Sequence, residues 1–129
     1  MTTYMGFGTL SYATAKAGIV GFTCMLSGEL QKHGITVNAI LPSAITGGFP
    51  DIRPRFGGGE TKGPEYIAPI VVYLATNEAA NITGSFIYSS SGDVVIFDTP
   101  LQLNGPAKFL RKKNNWTVDE LHEIIPMLI

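Results

Sequence analysis

The sequence predicts half of an α/β sandwich, on three observations. Apolar residues recur every three or four positions over residues 11–33 and again after Pro64, while 35–41 and 85–88 are short, mostly apolar runs set off by Gly, Pro or Ser. These segments follow one another as helix, strand, helix, strand, and two parallel strands need a helical crossover between them. The composition suits a packed core, since 45% of the 129 residues are hydrophobic and 15% charged.

In the first helix, Ala15, Ile19, Phe22, Leu26 and Leu30 form the stripe expected to face a core. A second line of small residues, Ala17, Gly18, Gly21 and Gly28, weakens helix propensity but lets another backbone come close, which predicts a helix packed on two sides. Cys24 lies in the apolar stretch and reads as a small hydrophobe. Gly34 is placed to end the helix. The run 35–41 is apolar enough to be a strand covered on both faces, and Pro42 stops it.

From Pro42 to Gly63 the composition turns to Gly, Pro and Phe, with Gly57, Gly58 and Gly59 at the centre, as in a long functional loop. Pro64 suits the start of a second helix through Ile67, Ile70, Val71 and Leu74, and Pro69 predicts a bend or a late start. Strands are expected at 85–88 and at 94–97. Thr117 and Glu120 have capping-box spacing, so a short helix should follow and end near Pro126. Residues 1–97 thus read as a partial α/β domain and 98–129 as an appended arm. So few strands leave sheet edges exposed, and further strands are expected from another chain or from copies of this one.

The formal charge of −1 asks for neither nucleic acid nor an anionic membrane as partner. No apolar run reaches the length of a bilayer span and no secretory leader is evident at Met1, so a cytoplasmic location is expected. One cysteine and two distant histidines, His33 and His122, make no metal-ligand pattern.

The chemistry lies with Tyr12 and Lys16, one helical turn apart and so on one helix face. A phenol is a poor proton shuttle at neutral pH, and a fixed ammonium beside it favours the phenolate. Tyr12 could then act as general acid in carbonyl reduction or general base in alcohol oxidation, and Lys16 could also hold the hydroxyls of a ribose. Spacing alone is weak support, because such pairs also arise on solvated helix faces.

Four segments supply the context: 11–23 around Tyr12 and Lys16; Gly34-Ile35-Thr36-Val37-Asn38-Ala39-Ile40-Leu41-Pro42; Pro64-Glu65-Tyr66-Ile67-Ala68-Pro69; and 74–84, ending Asn81-Ile82-Thr83-Gly84. In this order and at these distances they resemble the short-chain dehydrogenase/reductase family over about residues 6–97. The resemblance implies the C-terminal half of a Rossmann-type, doubly wound parallel sheet, an NAD or NADP cofactor, and hydride transfer between a carbonyl and an alcohol. It makes Tyr12 the acid/base and Lys16 its partner, and it places Pro42 and Ile45 in the turn that passes the nicotinamide. The family's Pro-Gly is Pro42-Ser43 here, and its usual threonine is Gly47, with Thr46 displaced by one.

The family's glycine-rich nucleotide turn and its catalytic serine and asparagine would fall upstream of Met1; Asn38 matches a different position, with a structural reading. The implied partners are therefore the missing N-terminal half, or a second copy through the helix at 11–33, together with a small-molecule substrate. The tail loosely resembles extensions in members acting on acyl thioesters, which suggests a 3-oxoacyl or 3-hydroxyacyl substrate. An alternative is a non-enzymatic assembly module derived from such an enzyme.

Overall fold

The computed structural model describes residues 10–128 except 49, 52, 55, 57, 58 and 98–107, so two members of the glycine triplet, Gly57 and Gly58, lie outside the described residues. The chain forms α1 (Leu10–Gln31), β1 (Ala39–Pro42), α2 (Ala68–Leu74), β2 (Phe86–Ser90), β3 (Asp93–Phe97), β4 (Lys108–Arg111) and α3 (Val118–Ile124). A 3-10 turn, Pro64–Tyr66, precedes α2, whose first turn contains Pro69. The second helix thus starts late, as proline's missing N–H requires.

The sheet has the order β1-β2-β3-β4. Only β1 and β2 are parallel, with Ala39 opposite Phe86; β2–β3 and β3–β4 are antiparallel. The expected all-parallel half-sheet is corrected to a mixed one. Ser91 and Gly92 alone separate β2 from β3, and two residues can close a hairpin but not a crossover. The far edge of β2 is therefore covered by this chain itself, through the strand expected at 94–97 and β4, and β1 lies at the other edge of the sheet. β4 was not foreseen, since Lys108-Phe109-Leu110-Arg111 is short and carries charge at both ends.

Alternation along the strands makes two faces. On the first, Phe86, Tyr88, Val95 and Phe97 pack with Ala39, Leu41, Val20 of α1 and Phe56. Phe56 meets Tyr88 edge-on at 5.1 Å between ring centroids. On the second, Ile87, Val94 and Ile96 pack with Ile70 and Tyr73 of α2 and with Trp116, Leu121 and Ile125. Burial pushes the Tyr73 phenol up, with Glu78 adding to it. The Glu78 carboxyl is held low by its own backbone N–H, by the Thr76 hydroxyl and by His122.

The arm closes the second face through specific bonds. Trp116 Nε1 donates to Gly92 O at 2.6 Å, and Lys112 N donates to the same oxygen at 3.0 Å. Thr117 caps α3 with the expected box: its hydroxyl accepts from Glu120 N at 3.3 Å, and Glu120 Oε2 accepts from Thr117 N at 2.8 Å. Lys112 Nζ also bridges to Glu120 Oε2, and Arg111 pairs with Asp93 at 2.8 Å across β3 and β4.

The expectation for α1 is reversed. Its buried residues are Thr23 and Ser27, whereas Ile19, Phe22 and Met25 are 45%, 64% and 68% exposed. Residues 20, 23 and 27 share the face that meets the sheet, and the stripe 15, 19, 22, 26 lies about 100° around the helix from it. Among the described residues the small-residue line has no close neighbour either, since a Cβ added at Gly18, Gly21 or Gly28 would meet nothing within 4 Å. Cys24 is exposed, not packed. β1 is also shorter than expected and only partly buried, because α1 covers it thinly.

Candidate functional site at the carboxyl ends of the parallel strands

The register of α1 on the sheet follows from small residues. Gly84 has φ +71°, and an added Cβ would come within 3.1 Å of Ser27 Oγ, so the C-terminal part of α1 lies at the amino end of β2. Ser27 itself donates to Cys24 O at 2.9 Å, which removes the cost of burying its hydroxyl. The other end of α1 points towards the carboxyl ends of β1 and β2. Tyr12 stands eight residues before Val20, about 12 Å further along the helix axis.

There the ammonium of Lys16 lies 5.4 Å from the centroid of the Tyr12 ring. Tyr12 is 41% exposed and Lys16 is exposed as well, so the pair is open to a ligand from solvent. The spacing read from the sequence therefore does place the two groups together.

Pro42 closes β1 at the same end, and Ser43 extends the pairing by one bond, its N–H donating to Ser89 O at 2.9 Å. Ile45 is exposed, and its N–H donates to Lys62 O at 2.9 Å. An open cavity of about 490 Å³ lies beside Ile45, lined among others by Asp51, Arg53, Glu60 and Thr61. The carboxyl ends of parallel strands are where open α/β sheets bind ligands.

Asn38 serves alignment. Its Nδ2 donates to Ile82 O at 2.7 Å, its Oδ1 accepts from Ser85 N at 3.0 Å, and Thr83 Oγ1 accepts from Val37 N at 3.0 Å. These bonds join the approach to β1 with the approach to β2, in keeping with the structural reading of Asn38. Lys62 and Ser91 escaped the sequence reading. The signal for Ser91 was present as a Ser-Gly step between two apolar runs, a hairpin pattern.

Among the described residues, no group of three or more His, Cys, Asp or Glu could hold a metal ion, and no helix is long and apolar enough to cross a membrane.

Residues 2–93 match the family model described as enoyl-(acyl carrier protein) reductase, which covers more than half of the chain. The chain belongs to the short-chain dehydrogenase/reductase family. Acetoacetyl-CoA reductase of Shinella zoogloeoides is 40% identical over 99 residues, spanning 69% of this chain and 41% of that protein. The 3-oxoacyl-[acyl-carrier-protein] reductase FabG of Escherichia coli is 37% identical over 94 residues, spanning 66% and 38%. A short-chain dehydrogenase structure from Mycobacterium avium superposes with a TM-score of 0.55 at 32% identity, covering 91% of this chain and 36% of that one. This short-chain dehydrogenase/reductase segment thus spans about two-fifths of the curated relatives it matches and lies within an oxidoreductase ancestry. Family members typically bind NAD(P). The family model ends at residue 93, so most of β3 and all of β4, Trp116 and α3 lie beyond it.

Proposed function

We propose that this chain is the C-terminal portion of a cytoplasmic, NAD(P)-dependent short-chain oxidoreductase that interconverts a carbonyl and an alcohol. In this reading residues 1–97 are the catalytic portion and 98–129 an extension. The observation that carries it is the Tyr12 and Lys16 contact, open to solvent at the end of α1 that points towards the carboxyl ends of β1 and β2.

The described residues fit one end of such a cofactor. Lys16 offers three donors to ribose hydroxyls, and the backbone at Pro42 and Ile45 borders the space a nicotinamide would occupy. They do not fit the pyrophosphate: among the described residues the positive-φ glycines are Gly34, after α1, and Gly84, before β2, and neither opens a helix after a strand. The phosphates are therefore assigned to a half supplied from outside 1–129, by a longer chain or a separate one, and this segment alone is inactive.

Bound, the nicotinamide would supply or accept the hydride. Tyr12 delivers its hydroxyl proton to the carbonyl oxygen as the hydride reaches carbon, and takes it back in the reverse direction. Lys16 steadies the phenolate left behind and orients the ribose. The names of the two reductases point to 3-oxoacyl thioesters as the substrate class.

The test is kinetic, on the segment joined to its nucleotide-binding half. Tyr12→Phe should lower turnover at least about 100-fold, the scale of lost general acid catalysis, with cofactor affinity unchanged. Lys16→Ala should weaken both. Retention of most activity by Tyr12→Phe would sink the assignment.

The exposed stripe of Ile19, Phe22 and Met25 favours a second reading, an assembly module that covers α1 with a second copy. Titration with NADH and NADPH of the segment joined to its nucleotide-binding half separates the two readings. Saturable binding argues for the enzyme, and silence with both, together with a concentration-dependent dimer, argues for the module.

A further inference from the structure

Ser91 is the only non-glycine residue with positive φ among the described residues, at 53°. Glycine takes up that conformation without the clash between Cβ and carbonyl that serine carries. Its neighbour Gly92 is glycine for another reason, since a Cβ there would run into Lys112 O. The turn thus holds a serine in a conformation glycine would adopt with less strain, so the side chain must supply something glycine lacks.

What it supplies is a clip. Ser91 Oγ accepts from Lys62 N at 3.0 Å and donates to Glu60 O at 2.7 Å, so its single proton and one lone pair are both engaged. Lys62 O in turn accepts from Ile45 N at 2.9 Å. The loop 46–61 therefore leaves and returns through a neck, Ile45 to Lys62, that is tied to the hairpin turn by one hydroxyl. The turn is itself fixed on its other side, because Gly92 O holds Lys112 N and Trp116 Nε1.

We propose that Ser91 is a positioning residue of the site: through Lys62 its hydroxyl fixes the backbone of Ile45 at the carboxyl end of β1. The proposal rests on the functional reading only in taking the Ile45 turn as the one that faces the cofactor. The strained backbone at Ser91 is the cost of placing a hydroxyl there.

Ser91→Gly is the informative variant, because glycine accepts the turn conformation while removing the hydroxyl together with its Cβ. Amide hydrogen exchange, followed by NMR on the full chain, reads the outcome. The Lys62 and Ile45 amides should each exchange at least about fivefold faster, the scale of one lost hydrogen bond, while Tyr88 and Val95 in β2 and β3 stay unchanged. Ser91→Ala should produce the same local loss. Unchanged protection at Ile45 would overturn the proposal, and so would an equal loss across β2 and β3, which marks a merely structural turn. Titration with NADH and NADPH is run separately on the segment joined to its nucleotide-binding half: absence of binding there counts against the functional reading, while the exchange pattern alone decides the role of Ser91.

Discussion

On the second face of the sheet Tyr73, Ile87, Leu121 and Ile125 are fully buried, whereas on the first face α1 buries only Thr23 and Ser27 and leaves Phe22 and Met25 more than half exposed. The closed face owes Trp116, Leu121 and Ile125 to residues beyond the family match. The open face carries Tyr12 and Lys16, which the proposed function makes the acid/base and its partner. On that reading stability and chemistry are housed apart. A helix that meets its sheet through a threonine, a serine and a half-buried valine gains little from removing apolar surface from water, while a leucine or tryptophan shut into a core gains several times as much.

The widest contrast lies between Leu121 and Phe22. Leu121→Ala should lower unfolding free energy by about 2–5 kcal/mol in a urea titration, as for other fully buried leucines. Phe22→Ala should change it by no more than about 0.5 kcal/mol, as at exposed sites. A cost at Phe22 near that of Leu121 would break the comparison, because it would mean α1 is covered in solution.

Trp116 sharpens the account of the closed face. Trp116→Phe keeps a large ring but strands Gly92 O without its indole donor, and should cost about 1–2 kcal/mol by the same titration. No loss would mean that Lys112 N satisfies that oxygen alone. Thr117→Ala removes the cap of α3 and should cost about 1 kcal/mol, read as a lower melting temperature.

The smallest effect is with pH. Glu120 is held down to about 2, first by Lys112, then by the Thr117 backbone N–H and hydroxyl. A carboxylate whose folded value lies below its unfolded one stabilises the fold above the unfolded value and loses that contribution as pH falls towards the folded one. The arm should therefore loosen between about pH 4.5 and 2, followed by fluorescence of the single tryptophan, Trp116. Glu120→Gln should remove this part of the acid response, and an unchanged profile would show that the exposed bridge to Lys112 contributes nothing measurable.

Much of the molecule was legible from local spacing. Tyr12 and Lys16 meet because residues four apart on a helix must, Thr117 and Glu120 form their box, and Pro69 delays α2. Each of these depends on a few neighbouring residues, whose geometry the backbone imposes. The hairpin was half legible: the apolar run of β3 was visible, but its antiparallel pairing followed from the brevity of Ser91-Gly92, and β4 gave too weak a signal in four residues.

Long-range contact decided the rest. Periodicity showed that α1 has an apolar stripe, but not that Val20, Thr23 and Ser27 would be the side turned to the sheet, because a 3.6-residue repeat reports that faces differ and not which partner each will find. Nor could spacing reveal that Ser91 ties Lys62 and Ile45 across 46 residues of chain, since such a bond exists only once the strands have brought their ends together.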